Sequence, residues 1–245
     1  VTREDGAVLA IEVKAAGAVD DGDTKHLQWL RKQMGQRLID SIIVNTGTAA
    51  APTEEAVRAH LREFLQDRHL INVPPLIWRP ILELFILPKR PRRTLDRYID
   101  FWTPEGSPFM LESQAQRDEI ARRLAHLIDE PHEVRLAMRY GQPSIRGAIE
   151  AFLDARVDRI IVLPMYPQKT IPCAGSVLDE FDAQFAALTK ARSLSADAAP
   201  EVLRIDEYWR EPGYLDALAG SIRRCWSYRP GSKLVMSYHS IPVSY

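Results

Sequence analysis

The chain has 245 residues, of which 46% are hydrophobic, and this is enough to bury a full core in one large domain or in one domain with an appended segment. Its formal net charge of −1 provides no basic field for nucleic acid, so we expect no nucleic-acid partner. The two cysteines, Cys173 and Cys225, fit neither a CxxC redox pair nor a zinc-ligand spacing, and the first residues lack the pattern of a signal peptide. These features predict a globular, cytoplasmic protein.

The predicted elements begin with a strand over 7–13 and a helix over 23–34. This helix has an aspartate at its start and a glycine directly after it, and both are typical cap residues. A short, wholly apolar strand follows over 42–44, and an amphipathic helix over 53–66. A strand followed by a helix is the pattern of an α/β protein.

From residue 113 onward, helix and strand patterns alternate regularly. Helices are predicted over 113–128, 144–156, 176–188 and 212–227, and strands over 134–138, 159–163, 202–205 and 234–238. The strand over 159–163 is almost wholly apolar, as expected for a strand that helices cover on both faces. The chain therefore predicts an α/β fold, with a doubly wound parallel sheet flanked by helices.

A long insertion without clear periodicity separates residues 66 and 113, and it contains seven of the chain's 17 prolines. Its most apolar part, residues 73–88, is broken by proline, arginine and glutamate and is too short to span a bilayer. Its aliphatic and aromatic content argues against disorder and favours short helices with an apolar face. Two interpretations stay open: a plain extension of the core, or a lip over an apolar ligand or against a membrane surface.

Basic, phenolic and small polar residues follow several of the predicted strands. In a parallel sheet the carboxyl ends of the strands meet at one edge, so residues 45–48, 139–141, 164–168 and 239–240 are expected to share a rim. His239 would supply a base there, although a histidine at a strand end is more often structural. The sequence contains no GxGxxG, Walker or GxSxG motif, which argues against a nucleotide site and a serine-hydrolase triad.

The sequence around these strand ends is more specific than any single residue. Arg139, Tyr140 and Tyr166 taken alone would more often be ion-pairing or packing residues. Five segments nevertheless occur in the order and approximate spacing of one family: 51–57 (APTEEAV), 102–108 (WTPEGSP), 137–145 (AMRYGQPSI), 162–168 (VLPMYPQ) and 237–242 (SYHSIP). From about residue 41 to its end, the chain resembles a bacterial ferrochelatase.

The resemblance implies two similar Rossmann-like domains with a porphyrin cleft between them, and insertion of ferrous iron into a porphyrin in haem biosynthesis. It implies that His239 is the catalytic base and a contact for the metal, and that this chain binds no cofactor tightly and no iron–sulfur cluster. On this interpretation residues 73–88 are the apolar lip that holds the macrocycle, with peripheral membrane contact as a further role. Substrate contacts are implied for Thr46, Trp78, Phe85, Arg139, Tyr140, Met165 and Tyr166.

The chain also departs from the family pattern. Thr46 stands where the family often has an apolar or aromatic residue, Lys169 replaces an aromatic residue, and residues 171–173 replace a Ser/Thr-rich run. These changes put the fit of the substrate in question. The family's second domain would follow His239, but this chain ends soon after it. We therefore expect weak metal insertion by the isolated chain, unless a second chain supplies the missing half; the alternatives are a porphyrin- or haem-binding module without turnover and a decayed fragment.

The first 40 residues differ from the start of a ferrochelatase. Residues 9–15 and 23–31 resemble the C-terminal nuclease-like domain of certain bacterial AAA-type ATPases, and Glu12 and Lys14 match the ExK half of a metal-dependent nuclease site. Alternating Glu and Lys are also common on a solvated strand face. The prediction is a β-α segment over 1–40 and a ferrochelatase-like domain over 41–245, with DNA cleavage through the first segment as a separate hypothesis.

Overall fold

The structure is a computed structural model, and it describes residues 9–11, 39–127, 132–226, 233–236 and 239–242. The chain divides into two compact units: Met34–Glu207 forms the larger, and Val1–Gln33 together with Tyr208–Tyr245 forms the smaller. The first strand, β1 (Leu9–Ile11), belongs to the smaller unit. Among the described residues, no helix has the length and apolar character needed to cross a membrane.

A four-stranded parallel sheet forms the centre of the larger unit. Val44 of the second strand lies opposite Ala137, and Ile42 lies opposite Val162, so this strand is paired on both sides. Parallel neighbours need crossover connections, and helices supply them here. The predicted α/β fold with a parallel sheet flanked by helices is confirmed. The strands, in the spatial order β3-β2-β4-β5, are β2 (Ile39–Asn45), β3 (Val134–Met138), β4 (Arg159–Pro164) and β5 (Glu201–Arg204).

The first helix of the larger unit is α1 (Glu54–Gln66). It begins after Thr53, whose hydroxyl accepts a hydrogen bond from the amide of Ala56 at 3.3 Å. Its apolar side chains Val57, Leu61 and Leu65 are buried. The helix predicted over 53–66 is therefore confirmed.

The proline-rich insertion folds into helices that follow α1. They are α2 (Pro75–Ile81), a short π-helical stretch (Leu82–Ile86) and α3 (Arg90–Phe101). Leu82 and Leu87 are fully buried in a small core that also contains the apolar face of α1. The inner side of the insertion thus extends the core, while its outer side is exposed. The role of that outer side as a lip over a ligand or against a membrane stays a prediction.

The helix predicted over 113–128 begins earlier, as α4 (Pro108–Leu124). Proline suits the first turn of a helix because that turn leaves its amide hydrogens without partners. Ser113 is a residue type that often caps helices, but here its hydroxyl donates a hydrogen bond to the carbonyl of Phe109 at 2.7 Å, inside the helix. Residue type alone therefore placed the start of this helix too late.

Two further helices complete the core of the larger unit. α5 (Ile145–Ala155) starts after Ser144, whose hydroxyl accepts a hydrogen bond from the amide of Gly147 at 3.1 Å. A π-helical stretch, Ile171–Gly175, leads directly into α6 (Ser176–Ala191). The side chains buried between these helices and the sheet include Ile42, Val44, Ala137, Ile149, Phe152, Ile160, Val162, Val177 and Phe181.

The smaller unit contains α7 (Pro212–Cys225) and a separate two-stranded sheet. Its second strand, β6 (Leu234–Met236), runs parallel to β1, with Val235 opposite Ala10. The prediction that the strand over 234–238 completes the larger parallel sheet is therefore wrong. An apolar run predicts that a strand forms, but it does not determine which strand pairs with it.

Some predictions fall outside the residues that the structure describes. They are the helix over 23–34, the nuclease-like pair Glu12 and Lys14, and the end of the strand at 237–238. The predicted boundary between residues 40 and 41 also stays a prediction.

Candidate active site

Three of the four predicted rim segments meet at the carboxyl edge of the four-stranded sheet. The amides of Arg139 and Tyr140 donate hydrogen bonds to the carbonyls of Asn45 and Thr46, at 2.8 and 2.9 Å. The amide of Met165 donates to a carbonyl of β2 at 2.8 Å. These hydrogen bonds continue the pairing beyond the strand ends, so the segments after β2, β3 and β4 form one edge, as predicted.

Gly47 lets two of these segments approach each other closely. Its φ of +105° is one that side-chain-bearing residues rarely adopt. A β carbon at this position would lie 2.0 Å from the carbonyl oxygen of Tyr140, a backbone atom. The edge therefore requires glycine here for two independent reasons.

The predicted substrate residues Thr46 and Tyr166 contact each other. Their hydroxyl groups share a hydrogen bond across the ends of β2 and β4. Burial raises the pKa of Tyr166, and the hydrogen bond to Thr46 offsets only part of this effect. The phenol therefore stays protonated at neutral pH and is a hydrogen-bonding group rather than a base.

The predicted residues Arg139 and Tyr140 meet on a buried carboxylate that the sequence did not single out. Tyr140 donates its phenolic hydrogen to Asp67 at 2.6 Å, and the guanidinium of Arg139 donates to the same oxygen at 2.9 Å. Ser176, at the start of α6, also donates to this oxygen. Only 1% of the Asp67 side chain is exposed. The carboxylate thus joins the end of α1, the segment after β3 and α6.

Asp67 is ionised in this network. Its burial opposes ionisation, but hydrogen bonds from Ser176, Tyr140 and the amide of His69, with the charge of Arg139, outweigh burial and lower the pKa to about 2. Burial and the hydrogen bond to Asp67 raise the pKa of Tyr140. The arginine and the phenol are therefore oriented by Asp67 before any substrate binds.

His69 extends the network to the surface of α6. Its Nδ1 lies 2.8 Å from the remaining oxygen of Asp67, and its Nε2 lies 2.7 Å from the carboxylate of Asp179. An imidazole can donate to both carboxylates only when both ring nitrogens carry hydrogen, which is the charged form. Partial burial favours the neutral ring, but the hydrogen bonds and charges of Asp179 and Asp67 outweigh burial and raise the pKa of His69.

We expect His69 to make stability fall at alkaline pH. Because its pKa is higher in the folded protein than its ordinary value of 6.5, its contribution is complete below pH 6.5 and is lost as the pH rises through the raised pKa. Urea unfolding of the parent and of His69→Gln tests this at several pH values between about 5.5 and about 8.5, on both sides of the ordinary histidine pKa of about 6.5. The free energy of unfolding should fall more steeply with pH in the parent than in the variant, and equal slopes would contradict the assignment.

Lys169, the residue that departs from the family pattern, forms an ion pair with Asp206. Asp206 follows β5, so a fourth strand of the sheet also contributes to this edge. Both side chains are substantially exposed to solvent. Asp206 was not predicted because no rim segment was expected after the strand over 202–205.

The two aromatic residues predicted on the insertion have different surroundings. The indole of Trp78 donates a hydrogen bond to the carbonyl of Leu65 at 2.6 Å and packs against the small core of α1. Phe85 is 67% exposed. Trp78 therefore anchors the insertion, while Phe85 belongs to its outer side.

The outer side of this insertion is an apolar surface, which we call the lip. Its members lie at helical spacing along α2 and the π-helical stretch, apart from the partly buried Trp78 and the buried Leu82. A helical segment that is apolar on both sides is normally covered on both. The lip consists of Leu76, Ile77, Ile81, Leu84 and Phe85, which are 38–91% exposed.

His239 lies in the smaller unit, and its side chain is exposed. Its Nδ1 is 2.7 Å from the carbonyl oxygen of Ser240, so this nitrogen carries the hydrogen. In the neutral ring the lone pair is then on Nε2, the nitrogen that is able to accept a proton or bind a metal. Its predicted roles as a base and as a metal contact stay predictions. Across the described ranges, no group of three or more His, Cys, Asp or Glu residues is placed to hold a metal ion.

Comparison with known proteins identifies the class to which this sheet and its rim belong. The ferrochelatase family model matches residues 41–245. The ferrochelatase of Thioalkalivibrio sulfidiphilus is 39% identical over 209 residues, which are 85% of this chain and 54% of that protein. The ferrochelatases of Aeromonas hydrophila and Chromobacterium violaceum are 39% and 38% identical, over 83% and 82% of this chain and 60% and 53% of their own lengths.

The chain therefore belongs to the ferrochelatase family. It spans between about half and three-fifths of the length of the curated relatives it matches. The resemblance of the first 40 residues to an ATPase-associated nuclease domain stays a prediction, since the family match begins at residue 41.

Proposed function

We propose that this chain takes part in the insertion of ferrous iron into a porphyrin in haem biosynthesis. Its family membership supports this, and the observation that carries the proposal for this chain is the exposed lip. A porphyrin is a flat apolar disc with carboxylates at its edge, so its site needs an apolar wall with a few cationic or hydrogen-bonding groups nearby. Exposed apolar residues grouped in this way mark a ligand or partner site in a folded protein.

In this proposal the lip residues Ile77, Leu84 and Phe85 cover one face of the macrocycle. Arg139, Tyr140 and Thr46, with Met165 and Tyr166 beside them, contribute polar groups at the edge of the sheet. Metal insertion requires the two pyrrole N–H protons to leave, and a neutral His239 would accept a proton or hold the metal before transfer. Ferrous iron is a substrate in this scheme, and we propose no tightly bound cofactor and no iron–sulfur cluster for these residues.

The test is a porphyrin titration followed by absorbance, with Phe85→Ser compared with Leu215→Ser. Leu215 is also an exposed leucine, 47% exposed, but it lies on α7 in the smaller unit. Burying a phenylalanine contributes about 1.5–3 kcal/mol, so Phe85→Ser should weaken binding about tenfold or more. Leu215→Ser should leave the affinity unchanged. Equal porphyrin affinities for the parent and Phe85→Ser would contradict the proposal that the lip contacts the porphyrin.

Binding is the decisive measurement because these 245 residues cover only part of the length of their relatives. We propose that metal insertion by this polypeptide alone is slow, since part of the positioning that speeds such a reaction would come from outside it. A second chain could supply that part. Failure to bind a porphyrin would contradict the proposed function, whereas binding without turnover would agree with it.

We also propose peripheral membrane contact through residues 73–88 and a cytoplasmic location. The contact is supported by the lip together with Arg79, Lys89 and Arg90, exposed cations within or next to this segment. Apolar side chains flanked by cations favour an anionic bilayer surface. Flotation with vesicles of phosphatidylcholine alone or mixed with phosphatidylglycerol measures this contact.

A further inference from the structure

A small cavity lies between the C-terminal end of α1 and α2. Its volume is about 140 Å³. Its lining includes Trp78, which was predicted to contact substrate, but none of the predicted substrate residues at the edge of the sheet. It is too small for a macrocycle and is comparable to cavities that accept one small molecular group. Its walls include Gln66, Arg68, Ile71, Val73, Trp78 and Arg79.

The cavity has two cationic side chains that pair with no acidic side chain among the described residues. Within the part of the chain that the structure describes, neither Arg68 nor Arg79 forms an ion pair. The arginines on α1 behave differently, because Arg58 is paired with Glu54 and Arg62 with Glu83. Guanidinium groups bind phosphate oxygens through paired N–H donors, so two of them beside one cavity favour an anionic oxygen group.

Apart from Gln66, the rest of the wall is apolar. Ile71 and Val73 face the cavity with the indole of Trp78, which is fixed by its hydrogen bond to the carbonyl of Leu65. Beside the cavity on α2, Leu76 is 91% exposed and Ile77 is 58% exposed. The anionic group that fits here is therefore attached to an apolar body.

We propose that this cavity binds the phosphate of an anionic phospholipid, with the acyl chains lying along Leu76 and Ile77. The proposal rests on the membrane contact proposed for residues 73–88 and gives it a specific headgroup site. A free phosphate would satisfy Arg68 and Arg79 but would leave the apolar wall uncovered. A zwitterionic lipid would bring a positive choline group towards two arginines, which repel it.

The first measurement is calorimetric titration of the full chain with dihexanoyl phosphatidylglycerol, kept below its micelle concentration. Dihexanoyl phosphatidylcholine and inorganic phosphate serve as comparisons. We expect the anionic lipid to bind about tenfold more tightly than either of them. Equal binding of inorganic phosphate would overturn the assignment to a lipid, and equal binding of the choline lipid would overturn the role of the arginines.

The second measurement compares two double variants of equal charge. Arg68→Gln with Arg79→Gln removes both cations of the cavity, and Arg92→Gln with Arg93→Gln removes two exposed cations of α3 outside it. The first pair should weaken binding of the anionic lipid about tenfold or more, because each arginine loses a charge-assisted hydrogen bond. The second pair should change it by less than about twofold.

An equal loss in both double variants would show general charge attraction and overturn the site. No measurable binding to the parent chain would overturn it as well. Porphyrin and metal are left out of both titrations and the lipid is monomeric, so failure here is distinct from failure of porphyrin binding and from failure of vesicle flotation. Circular dichroism of all variants confirms that each one is folded.

Discussion

Replacing Asp67 by Asn should lower the free energy of unfolding by about 3–5 kcal/mol, the usual cost of removing one partner from a buried ion pair. The side chain of Asp67 is 1% exposed, and both of its oxygens act as acceptors. The donors around them are Tyr140, Ser176, Arg139 and both the amide and the ring of His69. In the asparagine, one oxygen becomes an NH₂ group. Whichever way the amide is turned, that group faces donors and leaves them without an acceptor.

Asp179→Asn is the matched control. It removes the same charge from the other carboxylate on His69, but Asp179 is 69% exposed, and water can solvate the groups that it leaves. Its effect on stability should stay below about 1 kcal/mol. Urea unfolding at pH 7 compares the two variants, and equal losses would show that the buried network contributes little.

The pH dependence of Asp67 gives an independent check. Because its pKa is about 2 in the folded protein and 3.8 ordinarily, its contribution is complete above pH 3.8 and is lost as the pH falls towards 2. The parent should therefore lose more stability than Asp67→Asn between these values. The same substitution removes the carboxylate that binds one guanidinium nitrogen of Arg139, so it should also alter porphyrin affinity if that arginine orients the substrate.

The sheet could be predicted because its signal is local. Ile42, Ile43 and Val44 are consecutive apolar residues, and strands covered on both faces need such runs. The rim could be predicted from the same strands, because parallel strands end at one edge. The partner of β6 could not be predicted, because tertiary packing decides which strand lies beside it. The apolar run at 234–236 is compatible with either sheet.

The buried network could not be predicted for a related reason. Asp67 lies 73 residues from Tyr140 and 109 from Ser176, and no periodicity connects positions so far apart. In the sequence Asp67 is an acid directly after an amphipathic helix, a position that is usually solvated. The sequence pattern marked Arg139 and Tyr140 as ligands, whereas their described contacts show that their first partner is the protein itself.

The lip illustrates an intermediate case. The content of residues 73–88 predicted an apolar face, and the structure divides that content between an inner side, with the partly buried Trp78 and the buried Leu82, and an exposed side with Phe85. Hydrophobicity alone cannot separate the two sides, because both are apolar. The helical spacing separates the two sides once it is known which of them packs against α1.

Replacing Gly47 by Ala should destabilise the larger unit by about 2–5 kcal/mol, through a steric collision of about 1–3 kcal/mol and a backbone cost of about 1–2 kcal/mol. The new β carbon would lie 2.0 Å from the carbonyl oxygen of Tyr140 and 3.0 Å from its carbonyl carbon. These backbone atoms cannot easily move away, since the amide of Tyr140 is bonded to the carbonyl of Thr46 at 2.9 Å. The collision would therefore separate the segments after β2 and β3, which carry the predicted substrate residues.

Gly141→Ala separates the two costs. Gly141 lies on the same rim with a φ of +86°, but an added β carbon would meet only the carbonyl oxygen of Thr48, at an ordinary distance of 3.5 Å. The free energy of unfolding of Gly141→Ala should therefore fall only by the backbone cost of about 1–2 kcal/mol. Thermal and urea unfolding of both variants measure the difference, and a Gly47→Ala chain as stable as Gly141→Ala would show that the two segments are not held together as closely as the structure places them.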